Sequence, residues 1–230
     1  MPGDGFNFTR NVYLLREGNM FGYPALGFHR HGQIEVIPGC MFSGKTEALI
    51  TQIRRAEIAK LRFQVFKPEI DTRYAVNEVA SHNKSRFPAQ NVRHSLEILN
   101  LVAPFTEVIG IDEAQFFDDE IITVATQLAE AGRRVVLAGL DTDWQGKPFG
   151  PMPQLLALAD VIHKQYAICV VCGAPATRTQ RIVAADSQFL LGSTDSYEAR
   201  CRKHFDPTLS LRMKNVDSKP EASYELHTHG

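Results

Sequence analysis

The chain has 230 residues, 44% hydrophobic and 22% charged, a composition that supports a buried core. Lys plus Arg total 25 against 26 Asp plus Glu, a net charge of −1, which leaves no general basic footprint for nucleic acid or an anionic membrane. No run approaches the ~18 apolar residues of a membrane span, and no basic segment with an apolar core marks a secretory leader, so a cytoplasmic, thiol-reducing setting is expected.

Residues 1–31 mix Gly, aromatics and isolated charges without a period, and read as a poorly ordered extension, with Met20 an alternative start. From Gln33 the pattern changes to apolar runs alternating with amphipathic stretches. Gln33 to Ile37 reads as a strand, Lys45 to Lys60 as a helix and Phe63 to Lys67 as a strand. Ser95 to Val102 reads as a short helix and Glu107 to Ile111 as a strand. Asp119 to Ala131 is helical in period and stops at Gly132, and Arg134 to Ala138 is a further strand. Strands alternating with helices imply right-handed βαβ units and a mainly parallel sheet covered on both faces. Residues 32–160 are therefore expected to form an α/β domain. Residues 161–206, with strand-like fragments between turn residues, are expected to form a smaller unit, and 207–230 a polar flexible tail.

Gly39-Cys40-Met41-Phe42-Ser43-Gly44-Lys45-Thr46 fits G-x-x-x-x-G-K-[ST], with a strand before it and a helix after it. Glycines let backbone N–H groups curl around phosphate oxygens, and the helix N-terminus turns its positive end toward the anion. Lys45 supplies a charge to the β and γ phosphates, and the Thr46 hydroxyl is a hard ligand for Mg²⁺. ATP and Mg²⁺ are thus expected. The apolar strand ending in Asp112-Glu113 completes the pattern: Asp112 can hold Mg²⁺ through water, and Glu113 is available as a general base. Asp112-Glu113-Ala114-Gln115 also occurs in helicases, but such motors need a second domain and basic strand-gripping motifs for which this chain has little room.

Four cysteines are present. Cys169-x-x-Cys172 and Cys201-x-x-His204 form two knuckles that suit tetrahedral Zn²⁺ with three sulfurs and one nitrogen. Four protein ligands leave no open position, so the metal would be structural and would tie down the loop between the knuckles. A nucleic-acid-coupled ATPase carrying a zinc ribbon is the alternative. The loop between the knuckles has few aromatic and basic residues in the alternating pattern such a module uses.

Together these motifs resemble the zinc-containing type II thymidine kinases. The similarity runs from about Gln33 to Asp206 and includes Asp71-Thr72-Arg73, Asp112 to Phe116, Lys147-Pro148-Phe149-Gly150 and the stretch from Leu191-Gly192 to Tyr197. The resemblance implies a P-loop fold with a zinc-ribbon-like domain carrying a lasso loop, and phosphorylation of thymidine to dTMP. It implies Glu113 as the base that deprotonates the 5′-hydroxyl, with Gln115, Asp71 and Arg73 on the nucleotide side. Met41, Phe116, Leu140, Trp144 and Phe149 would line the nucleoside pocket, where ordinary core packing is the bland alternative for the aromatics. Tyr197 would close over the sugar and base, with Thr179 and the backbone around Gln188, Leu190 and Gly192 reading the base edge. A homotetramer and feedback by dTTP are also implied, with no nucleic-acid or membrane partner. Two departures stand out: His204 replaces a cysteine ligand of some members, and Trp144 stands where phenylalanine is common.

Overall fold

The computed structural model describes residues 32–69, 78–80, 86–184 and 196–210. The elements run β1 (Gln33–Gly39), α1 (Lys45–Ile58), β2 (Phe63–Pro68), β3 (Glu78–Ala80), β4 (Arg86–Pro88), β5 (Gln90–Val92), α2 (Glu97–Leu101) and β6 (Val108–Ile111). They continue with α3 (Glu120–Glu130), β7 (Arg134–Leu140), α4 (Met152–Leu158), β8 (Val161–Ile162), β9 (Ala167–Ile168), β10 (Pro175–Ala176), β11 (Arg178–Arg181) and β12 (Tyr197–Arg200).

Six strands form one sheet in the order β5-β2-β6-β7-β1-β8, and every pairing in it is parallel. Alternation along the strands explains why both faces are covered. In β7, Val135 and Leu137 pack with Ile121, Val124 and Leu128 of α3, while Val136 and Ala138 pack with Leu49, Ile50 and Ile53 of α1. The expected α/β sheet with flanking helices is therefore present. Helix α1 closes two residues before the expected Lys60. That residue takes a left-handed φ of 59°, and the Leu61 N–H returns to the Ala56 carbonyl. Beyond the expected elements, the structure adds the edge strands β5 and β8 and helix α4.

One charged cluster lies inside this frame. Glu35, almost fully buried on β1, is held by the Arg134 guanidinium, whose Nη2 donates to Glu35 Oε2 at 2.9 Å and to Gln52 Oε1 of α1 at 2.8 Å. His163 Nε2 stands 3.2 Å from the same carboxylate. Burial pushes Glu35 up, yet Arg134, Gln33 and His163 together hold it below the ordinary carboxylate value.

Past β8 the chain forms two short antiparallel hairpins, β9 with β10 and β11 with β12. The second pairs Thr179 with Ala199 and Arg181 with Tyr197. Among the described residues no helix is long and apolar enough to cross a membrane.

Candidate active site

The parallel sheet brings the ends of β1, β7 and β6 to one edge, with Gly39 beside Leu140 and Ile111 beside Leu137. Ligands in open α/β sheets sit outside this carboxyl edge. The loop after β1 turns through Phe42 (φ 65°) and Gly44 (φ 81°), left-handed conformations that only glycine adopts at little cost. Ser43 Oγ donates to the Cys40 carbonyl at 2.8 Å, and Lys45 Nζ donates to the same oxygen at 2.9 Å. Burial pulls the Lys45 ammonium below its ordinary value, against the opposing pull of Glu113, Cys40, Asp112 and Asp141. A lysine so placed gains by trading a carbonyl for phosphate oxygens.

At the end of β6, Thr46 Oγ1 lies 3.2 Å from Asp112 Oδ2. Burial, then the charge of Glu113, pushes the Asp112 carboxyl up to about 7, against stabilisation by the Glu113 N–H, the Thr46 hydroxyl and Lys45. Thr46 and Asp112 are the hydroxyl and carboxylate that would hold Mg²⁺ in a P-loop protein, so the residues present fit that ion.

Glu113 itself sits at φ 53°, a left-handed conformation uncommon for a residue with a side chain. Its carboxylate is fixed by Gln115, whose Nε2 donates to Glu113 Oε2 at 2.6 Å. The other end of the Gln115 carboxamide accepts the Leu140 N–H at 2.9 Å, so strand β7 sets the position of Glu113 through one buried side chain. The motif alone grouped Gln115 with the nucleotide-binding residues and gave no sign of this bridge.

The loop after β7 is shaped by Asp143, whose Oδ1 accepts the N–H groups of Gln145 and Lys147 at 2.8 and 2.9 Å. Asp141, buried at the end of β7, pairs with Lys164, a contact that no motif announced. Phe149 meets Phe116 edge to face at 5.4 Å between centroids, and both are half-buried. Leu140 and Trp144 are buried.

The hairpin region closes on the back of the phosphate loop. The Met41 N–H donates to Thr179 Oγ1 at 3.0 Å, and the buried Cys40 thiol stands 3.4 Å from the Ala176 carbonyl. Burial pushes that thiol up, which keeps it protonated and able to donate. Tyr197 is buried beside Arg181, whose Nη2 donates to its hydroxyl at 2.9 Å.

Cys169, Cys172, Cys201 and His204 converge, with all ligand atoms within 4.8 Å of one another. The Cys172 and Cys201 sulfurs are 3.8 Å apart, and His204 Nδ1 is 3.8 Å from Cys169 Sγ and 3.3 Å from Cys201 Sγ. Zn–S and Zn–N bonds of ~2.3 and ~2.0 Å at tetrahedral angles require edges of roughly 3.5–3.8 Å, so this cluster could hold zinc. Burial pushes the Cys169 thiol up, but the N–H groups of Cys201, Val171 and Cys172 and the His204 ring outweigh it and bring it down to about 6. Asp71, Arg73, Gln188, Leu190 and Gly192 lie outside the described residues.

With this geometry in view, two comparisons bear on identity. A family model described as thymidine kinase matches residues 32–205. A protein named thymidine kinase from Bdellovibrio bacteriovorus is 55% identical over 191 residues, covering 81% of this chain and 94% of that relative.

Proposed function

This chain belongs to the thymidine kinase family, and on that premise we propose that it transfers the γ-phosphate of ATP to the 5′-hydroxyl of thymidine, giving dTMP. The observation that carries the reading is the Gln115 bridge, which holds the Glu113 carboxylate at the sheet edge beside a complete phosphate loop. The family assignment does not favour a nucleic-acid-coupled ATPase.

The phosphate loop, from Gly39 to Gly44, cradles the triphosphate with its N–H groups, and Lys45 moves from the Cys40 carbonyl to the β and γ phosphates. Thr46 and Asp112 hold Mg²⁺, which supplies neutralisation of charge on the transferring phosphoryl group. Glu113 accepts the proton of the 5′-hydroxyl as that oxygen forms its bond to the γ-phosphorus, and the bond to the ADP oxygen breaks. Arg73, with Asp71 nearby, stabilises the transferring phosphate. Met41, Phe116, Leu140, Trp144 and Phe149 wall the pyrimidine, Tyr197 closes over it, and Thr179 with the backbone near Gln188, Leu190 and Gly192 reads its edge. Cys169, Cys172, Cys201 and His204 hold a structural Zn²⁺ that secures the hairpins. Family resemblance supports extending the reading to a cytoplasmic homotetramer inhibited by dTTP.

The test is transfer of labelled γ-phosphate from Mg·ATP to a panel of nucleosides, with Glu113→Gln alongside. Labelling of thymidine that falls by orders of magnitude in the variant, with ATP affinity kept, supports both the substrate and the base. Inert thymidine with continuing ATP hydrolysis would overturn the acceptor assignment, and loss of ATP binding in the variant would overturn the base.

A further inference from the structure

Arg181 has the largest fully buried side chain of the described residues, at 0% exposure. A guanidinium taken out of water is costly unless its charge is put to use, so its surroundings ask for a reason. The β11–β12 register sets Arg181 directly opposite Tyr197, and Nη2 donates to the tyrosine hydroxyl at 2.9 Å. The same guanidinium carbon lies 4.3 Å from the centre of the Trp144 ring and 5.4 Å from that of Tyr197. Both distances are within the range of cation–π attraction, which is stronger where water is excluded.

Trp144 comes from a different part of the chain, the loop after β7, and is 7% exposed. Its indole Nε1–H is buried without a hydrogen-bond partner among the described residues. Among the described residues no hydrogen bond from that nitrogen orients the ring; its stack on Arg181 does. One side chain on the hairpin thus fixes two aromatic residues, one by stacking and one by its hydroxyl.

We propose that Arg181 is a positioning residue for the acceptor nucleoside, clamping Trp144 and Tyr197 in place as walls of its pocket. The proposal rests on the reading of these two aromatics as nucleoside walls. Arg181 acts through Trp144 and Tyr197, so its loss acts on nucleoside affinity and leaves the phosphate-transfer step alone. Lysine is a poor substitute, because a compact ammonium lacks the planar face that stacks on the indole and the fork that reaches the tyrosine hydroxyl.

The chain contains a single tryptophan, so its intrinsic fluorescence reports Trp144 alone. The experiment compares wild type, Arg181→Met, Arg181→Lys and Tyr197→Phe by tryptophan emission without nucleoside, and by steady-state kinetics with thymidine and ATP. Arg181→Met is expected to shift the emission and raise KM for thymidine by about 10–100-fold, as loss of one stacked, hydrogen-bonded anchor does. Its kcat should stay within a few-fold and KM for ATP should be unchanged. Arg181→Lys should recover less than half of the emission shift. Tyr197→Phe, which removes only the hydroxyl, should move emission and thymidine KM in the same direction by a smaller factor, and it decides the matter if Arg181→Met does not fold. Unchanged emission and thymidine KM in the folded variants would overturn the clamp, as would a fall in kcat with KM unmoved. A wild type that leaves thymidine unphosphorylated would overturn the acceptor assignment instead, and the emission comparison without nucleoside separates that failure from failure of the clamp.

Discussion

Gly150→Ala tests whether the Glu113 carboxylate, the proposed base, is positioned by the backbone of its own motif. Gly150 has φ 47°, and a methyl group added there falls far inside contact distance of the Gln115 carbonyl oxygen and 3.2 Å from its carbonyl carbon. Restoring ordinary contacts of ~3.5 Å requires the two backbones to separate by about 1 Å. Gln115 is the residue whose carboxamide bonds Glu113 on one side and the Leu140 N–H on the other, so the displacement passes directly to the base. A misplacement of ~1 Å at a catalytic group costs on the order of 10²-fold in rate. The left-handed backbone adds about 1–2 kcal/mol of instability for any residue with a Cβ. Gly146→Ala is the control: its φ is 78°, and among the described residues its methyl group would meet only the Phe205 ring, at 3.0 Å. The expected result is a fall in Tm for both variants, larger in Gly150→Ala, with kcat for phosphate transfer down roughly 100-fold in Gly150→Ala alone. Wild-type kcat in a folded Gly150→Ala enzyme would refute the link from Gly150 through Gln115 to Glu113.

Three further outcomes follow from charge and metal. Asp112 has its carboxyl raised to about 7, so this group favours folding below its ordinary value of 3.8 and opposes it progressively as pH rises to about 7. Asp112→Asn should therefore raise the Tm of the ligand-free protein at pH 8 more than at pH 5, and should abolish further stabilisation by Mg·ATP; thermal melts at both pH values check this. Arg134→Met strands the buried Glu35 carboxylate and should cost about 3–5 kcal/mol in urea unfolding at pH 7. Because Glu35 is held below its ordinary value of 4.5, its contribution is present at neutral pH and lost as pH falls through the folded value, so the deficit should shrink in acid. Elemental analysis should find one zinc per chain, and Cys172→Ser should lose it with a lower Tm; metal-free wild type with an unchanged melt would refute the structural role.

Much of the fold and site was legible because local chemistry and long-range geometry agree there. Gly39 to Thr46 needs a strand before it and a helix after it, and the apolar run Val108-Ile109-Gly110-Ile111 must end where the first carboxylate, Asp112, appears. The Cys and His knuckles were legible because two fixed spacings meet one tetrahedral requirement. Other parts leave little trace. β5 is three residues, Gln90-Asn91-Val92, too short to display a period, and it pairs only because β2 offers an open edge. α4 spans seven residues after Pro151 and is held by Met152 and Leu155 in the core more than by helix propensity. The strand Arg178-Thr179-Gln180-Arg181 is wholly polar, yet its last three residues are buried, because their partners lie on a distant loop and a paired strand. No composition rule finds a core residue of that kind. The Gln115 bridge is hidden for a similar reason, since its acceptor role depends on the Leu140 N–H of another strand.

The attachment of Met41 to Thr179, and of Cys40 to Ala176, bears on how enzymes of this kind can be recombined. A chimera made by grafting the corresponding hairpins of a relative onto this sheet would import more than a new acceptor preference. It would also replace the wall against which the triphosphate loop is shaped. Such a graft keeps the shape of that loop only if it holds the backbone carbonyl of position 176 in place and brings a hydroxyl at position 179. On the roles proposed above, donor and acceptor preferences would be inherited together, and a laboratory seeking to alter one should select for the other at the same time.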